Sequence, residues 1–134
     1  MTYAAHTQVP VERTKAEIEK LVKKYGAKGF ATGWHGDRAQ LSFVAHERHI
    51  RFTIIVPQAP QAQRSRWRTL LLLVKAKLEA VDAKVVTFEE AFVGDIVMPD
   101  TGKTVWEMTR EQIALGYAGK PTPLLIGVDH GRSS

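Results

Sequence analysis

The chain has 134 residues, 44% apolar and 25% charged, the balance of a globular domain large enough to bury about two-thirds of the surface its unfolded form exposes. It has no cysteine, which excludes disulfides, thiol nucleophiles and cysteine zinc sites, and no apolar run near the ~18–20 residues of a membrane span. The net charge of +5 is unevenly spread: residues 1–84 hold fifteen Lys/Arg against seven Asp/Glu, while residues 85–134 hold four against seven. A basic front and an acidic back imply one polyanion-facing side and a different opposite one. The opening Met-Thr-Tyr-Ala-Ala-His lacks the basic-then-apolar pattern of a secretory signal, so a single cytoplasmic domain without membrane contact is expected.

Residues 1–13 show no period and contain Pro10, which predicts a loose arm. Thr14-x-x-Glu17 then has the form of a capping box, with the Thr hydroxyl accepting the third N–H and the Glu reaching back, so a helix is expected from there. Ile18, Leu21, Val22 and Tyr25 fall on its inner face, Gly26 is placed to end it, and Lys15, Lys20, Lys23, Lys24 and Lys28 occupy much of the rest. Three segments of period two follow, marked by Phe30, Thr32 and Trp34, by Leu41 and Phe43, and by Ile50, Phe52, Ile54 and Val56. His35-Gly36-Asp37-Arg38 and His46-Glu47-Arg48-His49 are links too short for a crossover. An antiparallel meander is therefore predicted, with Arg51 and Thr53 on its wetted face.

Pro57–Gln63 carries the chain to the longest apolar pattern, Arg64–Asp82. Trp67, Leu71, Val74, Leu78 and Val81 form one stripe, and Leu70, Leu72 and Leu73 widen it until a helix covered on more than one side is expected. Arg64, Arg66 and Arg68 crowd its expected first turn, against the macrodipole, at a cost of roughly 0.3–1 kcal/mol each when exposed. That placement is poor for stability and suits an anion-binding face. Thr87-Phe-Glu-Glu90 and Thr104-Val-Trp-Glu107 repeat the capping-box pattern. The first opens a short helix with Phe92 and Ile96, the second a helix burying some of Trp106, Ile113 and Tyr117 before Gly116 and Gly119 weaken it. Pro99-Asp-Thr-Gly102 reads as a turn, Leu124-Leu-Ile126 as a short docked segment, and residues 127–134 as a flexible tail. The expected class is α+β: helix, three-stranded meander, long central helix and two shorter helices, packed on one sheet face in a single domain.

Chemistry is thinly signalled. His46 and His49 stand three apart in a turn, where the spacing does not aim both rings at one metal, so no metal site and no cofactor is expected. Glu79, Asp82 and Glu89 gather near the end of the central helix, the raw material of a metal-dependent phosphodiesterase, yet no phosphate loop, HExxH or nucleophile elbow accompanies them and no catalytic residue is assigned. Binding is better supported. Arg64, Arg66 and Arg68, continued by Lys75 and Lys77 and extended by Arg48 and Arg51 on the sheet, offer phosphate-binding forks, while Trp67 belongs to the apolar stripe and reads as core. Neutralising about six phosphates would give a log–log salt slope of about −4 to −5.

Val9-Pro-Val-Glu-Arg-Thr-Lys-Ala-Glu-Ile-Glu-Lys-Leu, Ile50-Arg-Phe-Thr-Ile-Ile-Val-Pro57, Arg66-Trp-Arg with Val-Lys-Ala-Lys-Leu-Glu-Ala-Val81, Thr87-Phe-Glu-Glu and Ile96-Val-Met-Pro-Asp100 resemble a family of small uncharacterised early proteins of tailed phages and prophages, over roughly residues 9–125. The resemblance implies a phage protein of the replication or recombination genes. The strand–helix order is also similar in outline to phage single-strand annealing proteins and to double-stranded RNA-binding domains. The expectation is a non-enzymatic protein binding DNA or RNA. A counter-defence or host-takeover factor that binds a host protein is the second class, and the sequence leaves a homo-oligomer open.

Overall fold

The structure, a computed structural model, describes residues 8–122 of the chain. The first helix, α1 (Val11–Lys24), begins earlier than expected because Pro10 holds an extended conformation and its carbonyl accepts the N–H of Arg13 and Thr14 at 3.1 and 3.2 Å. Thr14 therefore lies inside the helix, fully buried, and the capping box anticipated there does not form. Its hydroxyl has no partner among the described residues. The other end is as expected. Gly26 takes a φ of +93°, and Ala27 N–H reaches the Val22 carbonyl at 2.9 Å, closing the last turn in a conformation that a side chain resists.

Three strands follow, β1 (Lys28–His35), β2 (Arg38–Ala45) and β3 (Arg48–Ile55), in the antiparallel meander order β1-β2-β3. Period two holds best in the middle strand, where Ala39, Leu41, Phe43 and Ala45 are all buried on one face. β1 is the edge. It is bulged between Lys28 and Ala31 and buries none of its residues fully; Trp34 stays 57% exposed. The turn between β2 and β3 puts His46 and Glu47 both at positive φ, 51° and 61°, with the His46 ring 4.5 Å from that of Phe88.

The long helix α2 (Pro60–Asp82) starts a turn before the expected point, with Pro60 in its opening position. Arg64, Arg66 and Arg68 thus sit beyond the first turn, and the conflict with the macrodipole inferred for them lapses. Trp67, Leu70, Leu71, Val74 and Leu78 are buried, but Leu72 and Leu73 remain 39% and 45% exposed, so α2 is covered on one side only. A short helix α3 (Phe88–Phe92) opens with the anticipated capping box at Thr87 and Glu90 and runs into a turn of 3-10 helix, Val93–Asp95. Ile96 then leaves the helix and pairs with Ile50 at the outer edge of β3, the Val97 N–H meeting the His49 carbonyl at 2.8 Å. After the 99–102 turn, α4 (Val105–Tyr117) starts on the second expected capping box, Thr104 with Glu107.

The fold is α+β in the expected order. Ile18 and Val22 of α1, the α2 stripe, and Phe88 and Phe92 of α3 form one core with the β2 and β3 residues Leu41, Phe43, Ile50 and Phe52. Helix α4 is different. It buries no residue, and Trp106, Ile113 and Tyr117, expected to pack inward, are 52%, 48% and 94% exposed. It continues through Gly116, and Gly119, at φ +76°, ends it. Residues 1–7 of the arm, the Leu124–Ile126 segment and the tail lie outside the described residues.

Candidate nucleic-acid interface

The seven cations singled out in the sequence do not form one track, because α2 divides them. Successive residues of a helix turn by about 100°, so Lys75 and Lys77, two apart, point roughly 200° away from each other. Arg64, Arg68 and Lys75 share the flank nearest α1, and Arg66 and Lys77 the flank facing β3 and α3. Arg48 is apart from both, at the hairpin end of β3.

Several are also occupied. Arg48 Nε donates to Glu89 at 2.7 Å, Arg51 Nη2 to Glu107 at 3.1 Å and to the Gly102 carbonyl at 3.0 Å, and Arg68 to Glu17. Arg64 bonds the side chain of Gln61 at 2.8 Å, Arg66 the carbonyl of Ile55, and Lys77 the carbonyl of Ala91. Lys75 makes no ion pair with another described residue and is exposed. The arginines are occupied through tertiary packing: Glu17, Glu89 and Glu107 come from other elements of the chain. Trp67 lies in the core, with the Lys15 amine 5.0 Å from its ring, and is closed to bases.

A second arrangement takes the place of the expected track. Beside the outer edge of β3 is an open cleft of about 500 Å³ between the sheet, the turn 93–95 and the start of α4. Arg38, Arg51, Lys77 and Arg110 line it together with Trp106. Arg38 enters from the first position of β2, opposite Ile55 across the ladder, and the Ile55 carbonyl also holds Arg66. Trp106 and Arg110 are one turn apart on α4, so both lie on the helix face that lines the cleft. Neither Arg38 nor Arg110 makes an ion pair with another described residue, and both are exposed.

Two of the three carboxylates of the cleft are committed to helix caps. Glu90 accepts from Thr87 N–H at 2.8 Å, which holds its pKa below the usual range. Glu107 accepts from Thr104 N–H at 2.8 Å, and that bond, opposed by partial burial and helped by Arg51, keeps its pKa low as well. Asp95 is the reverse case: burial pushes its pKa up to about 6, against the pull of Lys77. Arg51 ties the sheet to the cap of α4 and has its Nε buried with no hydrogen-bond partner among the described residues.

Sequence reasoning found Arg51, Arg66 and Lys77 of this region and missed Arg38, Trp106 and Arg110. Arg38 was absorbed into a turn, and Trp106 into an expected core stripe. The i,i+4 pairing of Trp106 with Arg110 was the legible signal. Among the described residues no three His, Asp or Glu side chains, Glu79, Asp82 and Glu89 included, come together as a group that could hold a metal ion. No described helix is long and apolar enough to cross a membrane. Compared with protein-family models, curated proteins and solved structures, the chain gives no match.

Proposed function

We propose that this is a non-enzymatic nucleic-acid-binding protein that takes a short single-stranded segment of DNA or RNA in the cleft beside β3. In the setting its phage-protein resemblance implies, it would protect or anneal strands during replication or recombination in the host cytoplasm. The observation that carries the reading is the meeting of an exposed indole, Trp106, with the guanidinium groups of Arg38 and Arg110, which make no ion pair with another described residue, around one open cleft. An aromatic face accepts any base by stacking, and forked donors beside it hold the flanking phosphates. Single strands fit better than duplex, because a base stacked between its neighbours in a duplex has no free face to offer the indole.

Fluorescence anisotropy with single- and double-stranded probes over a salt series tests this. With Arg38 and Arg110 as the phosphate contacts, the log–log salt slope for single strands is expected at about −1.4, shallower than a seven-cation track would give. Binding should quench Trp106 emission. Equal affinity for duplex, or binding and quenching unchanged in Trp106→Ala, rejects the cleft as the site.

A further inference from the structure

The flank of α2 that faces α1 carries a different surface. Between the two helices, on the side away from the sheet, is a groove of about 680 Å³. Its floor is Leu21, Leu71 and Leu72, and its rim is Lys20 and Lys24, one turn apart on α1, with Lys75 opposite on α2. The Glu17–Arg68 ion pair lies in the same groove. None of the three rim lysines makes an ion pair with another described residue, although Glu79 stands one turn from Lys75. Leu72, 39% exposed, is the most open of the three leucines.

We infer that this groove is a docking site for an amphipathic helix with an acidic border, presented by a partner protein. A leucine floor takes the apolar stripe of a helix laid along it, and three ammonium groups that make no ion pair with a described residue, Lys24 lying 6.0 Å from the Tyr25 ring, select carboxylates flanking that stripe. The same frame argues against other occupants. A second copy docking face to face would set lysine against lysine. Nucleic acid has no use for a leucine floor without an aromatic. The inference uses the flank of α2 opposite the cleft and does not rest on the nucleic-acid reading.

The test uses the full chain and three labelled probes. The first is a synthetic peptide of roughly 16 residues, long enough to match α1, with leucines at i, i+3, i+4 and i+7 bordered by glutamates. The second is an isomer of the same composition with the leucines scattered round the helix, and the third is vesicles containing phosphatidylserine. The acidic amphipathic peptide is expected to bind at least about tenfold tighter than its isomer, a difference of about 1.4 kcal/mol. Leu72→Glu should remove that preference and Lys75→Glu weaken it by a few fold, and excess single-stranded oligonucleotide should not displace the peptide. Because both side chains are exposed, circular dichroism and Tm should stay close to wild type in either variant. Failure of the peptide to bind, equal binding of the isomer, or indifference to Leu72→Glu overturns the proposal. So does vesicle binding with the same Leu72 dependence, which points to a lipid surface, or a dimer that Leu72→Glu dissolves, which points to a second copy. Loss of oligonucleotide binding in Trp106→Ala with peptide binding intact separates a failure of one reading from a failure of the other.

Discussion

The two flanks of α2 carry the same sign of charge on opposite kinds of ground. Toward β3, Lys77 joins arginines around an aromatic, with two carboxylates bound into helix caps and a partly buried Asp95 in the same lining. Toward α1, Lys75 joins lysines around leucines. Positive charge alone draws any polyanion to either side, and what the charge frames decides which one stays: an indole and guanidinium forks suit bases and phosphates, leucines and ammonium groups suit an acidic helix. Arginine against lysine sharpens the division, since the planar fork is suited to phosphate and the ammonium group acts as a point charge.

The largest effect that can break this comparison is Trp106→Ala. Stacking contributes about 1–3 kcal/mol per base, so affinity for a single-stranded probe should fall roughly 5- to 150-fold, while Lys20→Ala with Lys24→Ala costs only a small, salt-sensitive share. If the two variants lose equally, binding is diffuse and the flanks are not distinct. Trp106 is exposed and beside the α4 cap, so its removal should leave Tm within a few degrees, as a thermal melt would show.

A smaller effect comes from pH. Asp95 has its carboxyl raised from 3.8 to about 6 by burial, so below that value it is neutral and the cleft loses a negative charge beside Lys77. Oligonucleotide affinity should rise as pH falls through about 6, and Asp95→Asn should show the higher affinity already at pH 7.5 with that part of the pH dependence gone. The stability sign is worked out in the same way. The folded state holds this proton more tightly than the unfolded one, so the Asp95 contribution favours folding below 3.8 and is lost as pH rises through about 6. Peptide binding at the leucine groove should not follow Asp95, and urea midpoints with anisotropy at each pH test both halves.

The fold was legible where local chemistry decides it. Period two in Leu41–Phe43 and Ile50–Phe52, two of the three capping boxes and Gly26 as a helix end are each written within a few neighbouring residues. The third capping box misled because the helix already starts at Val11, with the Pro10 carbonyl, four residues before Thr14, accepting the N–H of Arg13 and Thr14, so Thr14 lies inside the helix and not at its start. The site was legible only as composition. Whether Arg51 is bare or bound depends on Glu107, 56 residues away, and no pattern within β3 shows it. Leu72 and Leu73 misled for a related reason: an unbroken leucine run does not say how many sides of a helix the rest of the chain is able to cover.

Arg48 supplies the smallest and most discriminating test, since it was counted with the others in the sequence and belongs to neither flank. Its guanidinium lies on Glu89 at 2.7 Å with both side chains substantially exposed, an arrangement that contributes about 0–1 kcal/mol to stability. Arg48→Ala should therefore lower Tm slightly, lessen the salt dependence of the melt, and leave both oligonucleotide and peptide affinity within about twofold of wild type, because no ligand-facing charge is lost. A large loss of oligonucleotide binding in this variant would mean that Glu89 gives way to phosphate at the hairpin end. The basic residues would then act as one continuous surface after all, with the cleft only its deepest part.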